Sequence, residues 1–186
     1  MKKVLAFFAF ALFLAACSSV GKFKPMVEEL ASKWDSATGA VTSFAGEVTT
    51  EQQNWLSAKS SWAMPSPEAM AKWDDATKAK YNEAQTAVAN TESSLSAMSG
   101  EVSAFATGWQ EKGKELQALK DGIAAGKLEG NPQETINSLN TAVTDASTKL
   151  EGWKKSLADW KAAAANSQKM MADFIASQPA PKSSTK

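Results

Sequence analysis

The fold is decided by the stretch Pro132–Ser177, PQETINSLNTAVTDASTKLEGWKKSLADWKAAAANSQKMMADFIAS. Its apolar residues recur at alternating steps of three and four, and only Ser167 is of another type. This is the a/d spacing of a helix that packs along its length against partner helices, held here for more than five heptads. We call the row of residues at such positions a seam. The seam of this stretch is Ile136, Leu139, Val143, Ala146, Leu150, Trp153, Leu157, Trp160, Ala164, Ser167, Met171 and Phe174.

A first helix is predicted upstream, beginning at Pro25, since proline suits the first helical position. It ends at Met64, because the residue before a proline is pushed out of the α region. Glu51 is the one charged residue in its seam. That seam reads Val27, Leu30, Trp34, Ala37, Val41, Phe44, Val48, Glu51, Trp55, Ala58 and Trp62.

A second helix is predicted over residues 67–123, opened by the capping sequence Ser66-Pro67-Glu68. Its seam has one 4-4 step, at Trp73–Thr77–Tyr81, which is a stutter that locally unwinds a supercoil. The pattern runs through Gly100, and a break there, giving a fourth helix, is the alternative.

The third helix opens with Asn131-Pro132-Gln133-Glu134, which has the form of a capping box. Glycines mark the turn between the second and third helices. Because short turns make consecutive helices antiparallel, the predicted helices run in alternating directions. The predicted fold is therefore all-α, an elongated antiparallel three-helix bundle over residues 25–177. Residues 178–186, rich in Pro, Ser, Thr and Lys, are predicted to be a disordered tail.

Composition excludes several classes of function. The chain has no histidine and no arginine, and Cys17 is its only cysteine, so no internal disulfide can form. Without histidine the commonest general base and metal ligand is missing. A formal charge of zero without arginine gives no reason to expect nucleic acid. We therefore predict no enzymatic activity, no catalytic residues, no metal and no cofactor.

The seven tryptophans and the paired acids are the residues that most suggest a binding site. All seven tryptophans fall on the seams, so they are interpreted as core side chains, with Trp62 and Trp73 beside the first turn expected to be partly exposed. Sequence neighbours such as Glu28-Glu29 and Asp74-Asp75 do not share a helix face, and they are interpreted as solvated surface.

The N-terminus has the pattern of an export signal. Lys2 and Lys3 precede a 13-residue apolar run, too short for a bilayer, where about 20 residues are needed, and the run ends in Leu14-Ala15-Ala16-Cys17. This pattern resembles the signal peptide and lipobox of bacterial lipoproteins. The resemblance implies cleavage between Ala16 and Cys17, diacylglyceryl attachment to Cys17, and N-acylation, with palmitate for example, in a Gram-negative host. It divides the chain into a cleaved signal, 1–16, and a lipidated tether, 17–24.

Cys17 is followed by Ser18, whereas an aspartate there would resemble an inner-membrane retention signal. We therefore expect an outer-membrane lipoprotein that faces the periplasm, with the cell surface as the alternative. Lipid at one end, heptads between and Lys186 at the other end resemble the plan of murein lipoprotein. That family joins its C-terminal lysine to peptidoglycan, which makes Lys186 a possible attachment point.

The expected function is that of a lipid-anchored helical module that binds or scaffolds in the envelope without catalysis. Its partner is expected to be an envelope protein, peptidoglycan or a second copy of itself. One alternative is a structural tether between outer membrane and peptidoglycan through Lys186. A second alternative is an amphipathic lipid-interacting protein, although strict a/d seams are narrower than the apolar face such proteins use.

Overall fold

The computed structural model describes the backbone of residues 2–178 and the side chains of residues 20–178. Its elements in chain order are α1 (Lys2–Ser60), α2 (Pro67–Met70), α3 (Asp75–Ala124) and α4 (Pro132–Ala176). Within the described residues every one of these elements is a helix, so the predicted all-α class is confirmed.

Helix α4 has the predicted start and ends within one residue of the predicted end. Its seam is buried as predicted, except that Val143 is half-buried and its neighbour Ala142 takes the buried position. The backbone N–H of Glu134 donates to Asn131 Oδ1 at 3.3 Å, as expected of a capping residue. The Glu134 carboxylate accepts from the Asn131 side-chain amide at 3.3 Å instead of from its backbone, so the box is closed through side chains.

The predicted start of the first helix at Pro25 is wrong, because α1 begins at Lys2 and the proline lies inside it. A proline inside a helix removes one backbone hydrogen bond and crowds the carbonyl four residues earlier. Packing offsets this cost, since Val20 is buried and Phe23 is half-buried against the core. Residues 20–24, which belong to the predicted tether, are therefore helical.

The predicted single helix over 67–123 is interrupted near its start, where residues 71–74 separate α2 from α3. Ser66 caps α2, accepting a hydrogen bond from the N–H of Ala69 at 3.2 Å. Asp74 starts α3 in the same way, because its Oδ1 accepts from the N–H of Thr77 at 2.7 Å. Short polar side chains that bond to nearby backbone compete with a continuous helix. The 4-4 step in the apolar spacing falls where this break occurs.

The alternative break near Gly100 is also wrong, since α3 continues through that residue. A glycine inside a helix costs about 1 kcal/mol relative to alanine. The residues on either side hold the helix in place, because Met98 and Val102 are both buried. Burial on the seam thus outweighs the local preference.

The turn between α3 and α4 depends on its glycines. The N–H of Lys127 donates to the carbonyl of Gly122 at 2.8 Å, and the N–H of Gly126 donates to that of Ile123 at 3.1 Å. This is a Schellman motif, with Gly126 in the left-handed region at φ 70°. A Cβ on Gly122 would lie 2.8 Å from the carbonyl oxygen of Lys127, so this turn needs glycine at two of its positions.

Contacts divide the chain into two compact units. Unit 1 consists of Met1–Ser43 and Val102–Glu151, and unit 2 of Phe44–Glu101 and Gly152–Lys186. Each unit takes its core from segments of α1, α3 and α4. The core cluster of unit 1 is Val27, Leu30, Trp34, Trp109, Leu116, Leu119, Ile136, Leu139, Ala142 and Ala146.

Candidate functional site

The residues with a predicted lipid or wall attachment lie outside the part of the chain whose side chains are described. Ala16 and Cys17 fall within the bounds of α1, but their side chains are among those not described, and Lys186 is outside the described residues altogether. Within the described part of the chain, no helix has a stretch long and apolar enough to cross a bilayer. These three residues therefore remain predictions.

The tryptophans occupy the core, as their seam positions predict. Five of the seven are buried, namely Trp34, Trp55, Trp109, Trp153 and Trp160. Trp62 and Trp73 are half-buried, which confirms that the two residues beside the first turn are the most exposed of the set. Tryptophan therefore serves mainly as core volume in this chain.

In unit 1 two tryptophans form a stacked pair with a polar partner. The rings of Trp34 and Trp109 lie 3.6 Å apart between centroids, with planes 9° from parallel. The indole N–H of Trp109 donates to Thr38 Oγ1 at 2.7 Å. The Thr38 hydroxyl in turn donates to the carbonyl of Trp34 at 2.8 Å. A buried indole donor is thereby satisfied, as buried polar groups require.

Unit 2 has a buried polar node. Thr91 and Ser167 are 3% and 2% exposed, and their hydroxyl oxygens lie 2.9 Å apart. The indole N–H of Trp160 donates to the carbonyl of Thr91 at 2.9 Å. Ser167, the single residue of another type in the α4 seam, thus lies opposite Thr91 of α3. The polar exception in the α4 seam is therefore half of a buried polar pair.

Trp55 in unit 2 contrasts with these satisfied indoles. It is 3% exposed, and its Nε1 has no hydrogen-bond partner among the described residues. Its ring contacts Trp62 and Trp160 edge-on, at centroid distances of 5.9 and 6.1 Å. An indole offers one donor and no acceptor, so this group by itself supplies neither a nucleophile nor a metal ligand.

The charged residue in the α1 seam has a partner. Glu51 Oε1 lies 2.8 Å from the Lys161 ammonium, which donates to it from α4. This hydrogen bond, with the negative charge of Glu51, raises the pKa of Lys161 above its ordinary value. Glu51 is therefore accommodated at the edge of the core as half of an ion pair, which its sequence position did not show.

The paired acids are surface groups, as predicted. Glu29 accepts a hydrogen bond from Lys33, with oxygen and nitrogen 2.6 Å apart, and this contact lowers the pKa of its carboxyl. Glu28 lies 3.9 Å from Lys24, and Asp75 lies 3.8 Å from Lys78. In the described part of the chain no three acids, cysteines or histidines come together as a metal site would need.

Two recesses were not predicted from the sequence. The Trp62 recess, in unit 2, encloses about 190 Å³ and is lined by Trp62, Met64, Gln85 and the ion pair Lys59–Glu92, among others. Its lining is mixed, because Met64, Val88 and Ala89 lie beside the ring of Trp62, the amide of Gln85 and the paired charges. Trp62 was identified from the sequence, but the residues that α3 brings to it were not.

The second recess, in unit 1, encloses about 610 Å³ beside the α3–α4 turn. Apolar side chains such as Leu119 and Leu128 lie beside the acids Glu115, Asp121 and Glu129. Its existence follows from the fold of the turn, which a heptad pattern does not describe.

Comparisons of the chain with protein-family models, with curated proteins and with solved structures gave no match.

Proposed function

We propose that the chain is a lipid-anchored helical lipoprotein of a bacterial envelope, which binds or scaffolds other envelope components without catalysis. The observation that carries this proposal is the sequence Leu14-Ala15-Ala16-Cys17 at the end of a short apolar run. The packed helical body supports it, because Val20, the first residue whose side chain is described, is buried and follows Cys17 by three positions. The predicted signal peptide, the lipidated cysteine and the packed helices thus follow one another with only two residues between Cys17 and Val20.

The fold we propose for the body is an antiparallel three-helix bundle. Three buried seams from α1, α3 and α4 support it, together with the contacts inside each unit. In unit 2, for example, Phe44 of α1 packs against Trp153 of α4 with ring centroids 6.0 Å apart. A bundle of this kind presents long, polar helix faces, and such faces suit binding or spacing rather than enclosure of a substrate.

The proposed location is the periplasmic face of an outer membrane, with Ser18 after the cysteine as its support. The proposed partner is an envelope protein, peptidoglycan or a second copy of the chain. Two or more acyl chains on Cys17 would hold the protein firmly, whereas one chain gives only marginal binding.

The experiment that tests the anchor is metabolic labelling with tritiated palmitate in a bacterial host that expresses the full chain. The native chain is expected to incorporate label and to sediment with membranes. Cys17→Ser should abolish both, and Ser18→Ala is the matched control that should leave both unchanged. Incorporation by the Cys17→Ser variant, or none by the native chain, would refute the proposed anchor.

Cell walls boiled in detergent separate this proposal from a covalent tether through Lys186. A purely lipid-anchored protein leaves the walls completely in detergent. A fraction that stays until muramidase is added, and that disappears with Lys186→Ala, would replace the proposal by the tether. The non-lipidated Cys17→Ser chain should also fail to bind vesicles, since vesicle binding without acyl chains would favour the amphipathic alternative.

A further inference from the structure

The lipidated cysteine and the packed body are separated by very little chain. Only Ser18 and Ser19 lie between Cys17 and Val20, and Val20 is already 9% exposed in the core of unit 1. Even fully extended, three residue steps span at most about 11 Å. Whatever conformation these residues take, acyl chains on Cys17 would hold the start of the unit 1 core close to the headgroups.

Contacts inside unit 1 show which other residues lie at this end. Thr38 of α1 contacts Trp109 of α3 through the 2.7 Å hydrogen bond. Trp34 precedes Thr38 by four residues in α1, and Gly113 follows Trp109 by four residues in α3. These two positions also meet, because a Cβ on Gly113 would lie 3.8 Å from the ring of Trp34. The residue number falls in α1 as it rises in α3, so the two helices are antiparallel here. The same register brings residues 20–24 of α1 beside the end of α3.

The core cluster agrees with this register. Phe23 of α1, Ile123 of α3 and Leu128 of the following turn are all half-buried against the same cluster of unit 1. The α3–α4 turn therefore lies at the end of unit 1 where α1 emerges toward Cys17.

We infer that residues 20–24 and the α3–α4 turn, residues 125–131, form the face of unit 1 that lies against the lipid headgroups. This inference rests on the proposed acylation of Cys17. We call these residues the membrane-proximal face. Its residues include three lysines, Lys22, Lys24 and Lys127, and one acid, Glu129. Lys127 pairs with Glu129 at 3.1 Å, and Lys24 lies 3.9 Å from Glu28 in the next turn of α1. The short spacing from the anchor is what places this face at the headgroups, and phosphatidylcholine, which carries no net charge, removes attraction of the lysines to anionic lipid from the test.

The test uses the full, acylated chain in vesicles of phosphatidylcholine that carry an energy acceptor on a fraction of the headgroups. A donor dye is attached to Lys127→Cys, whose native side chain is 77% exposed. The matched control is Gly39→Cys on α1 of the same unit, where an added Cβ meets nothing within 4 Å. Position 39 is 22 residues from Cys17, about 33 Å along a helix at 1.5 Å per residue. The thioether at Cys17 does not react with the dye.

Energy transfer to the headgroup acceptor is expected to be several-fold stronger from position 127 than from position 39. Equal transfer, or stronger transfer from position 39, would overturn the inference. If the native chain is not acylated, the proposed function fails and the inference with it. Acylation with equal transfer from both positions overturns only the inference.

A second variant separates tethering from intrinsic affinity. Twelve Gly and Ser residues inserted between Ser19 and Val20 have a root-mean-square span of about 20 Å. The difference between the two labelled positions should then shrink markedly. An unchanged difference would show that the face binds lipid by itself, which contradicts placement by the short spacing.

Discussion

The rings of Trp34 and Trp109 stack nearly parallel in unit 1, and the same Trp109 binds Thr38 through its indole N–H. One side chain of α3 thus contacts α1 by its ring surface and by its single polar atom. Aromatic pairs add about 0.5–1.5 kcal/mol beyond the apolar area that they bury. The pair fixes both the spacing and the register of α1 against α3 in this unit.

Truncation of Trp109 is expected to damage unit 1 severely. Trp109→Ala should lower the free energy of unfolding by about 3–5 kcal/mol, because it removes a buried ring and leaves a cavity. Trp109→Phe keeps a ring but loses the bond to Thr38, and should cost about 1–2 kcal/mol. Urea unfolding followed by circular dichroism measures both, with the exposed Leu56→Ala as control. A loss below 1 kcal/mol for the alanine variant would contradict the stacked pair.

The polar node of unit 2 should show coupling between its two hydroxyl groups. Thr91→Val alone should cost about 0.5–1.5 kcal/mol, because it removes the contact between the two hydroxyl groups while Ser167 keeps its hydrogen bond to the carbonyl of Ala163. Ser167→Ala should cost less in the Thr91→Val background than in the native chain, because the contact is already absent there. A double-mutant cycle from urea unfolding gives the coupling. Additive losses would mean that the hydroxyl groups do not interact.

The Glu51–Lys161 pair should make unit 2 sensitive to high pH. The pKa of Lys161 is raised in the folded chain, so the ion pair stabilises the fold fully below the ordinary lysine pKa. That stabilisation is lost as the pH rises through the pKa that Lys161 has in the folded chain. Glu51→Gln should lower the free energy of unfolding by only about 0.2–1 kcal/mol at neutral pH, because Lys161 is half exposed. It should also flatten the pH dependence above pH 10, whereas Glu83→Gln on the exposed side of α3 should not.

The cap on α3 should weaken in acid. The hydrogen bonds from Thr77 lower the pKa of Asp74, so the capping contribution is present above the ordinary aspartate pKa and is lost as pH falls through the folded value. Asp74→Asn keeps an acceptor that does not titrate in this range. The protection factor of the Thr77 amide, which compares its hydrogen exchange with that of an unstructured peptide at the same pH, should fall in acid more for the native chain than for this variant. An equal fall in both would show that the cap is not the cause.

The seams could be predicted from the sequence because burial in a long helix follows a period that residue types reveal. The α4 seam and the exposure of Trp62 and Trp73 were predicted in this way. The helix start at Pro25 was predicted wrongly, because packing at Val20 and Phe23 keeps the helix continuous through the proline. The break before α3 was missed because the apolar spacing continues through Asp74, whose side chain accepts a hydrogen bond from the N–H of Thr77 and starts a new helix.

The candidate sites were less predictable than the helices. The Trp62 recess needs Gln85 and Glu92 of α3 beside Lys59 of α1, and the pair Thr91–Ser167 spans 76 positions. A heptad pattern shows which residues face a neighbour, but not which residue of the neighbour each one meets. That choice depends on the relative shift of the helices, which is set by contacts such as Trp109 to Thr38.

If Cys17 carries the proposed lipid, the short chain between Cys17 and Val20 also bears on how an anchored copy could be released. Proteases cut exposed loop tips, and from Val20 to Ser60 the backbone of α1 is helical and hydrogen-bonded. Cuts in the open segments 61–66 or 125–131 would leave α1 in place, and its buried seam would still hold the cut pieces. Shedding the body therefore requires α1 to unfold locally, so the loss of the protein from a membrane would report on its stability and not on a cleavable stalk.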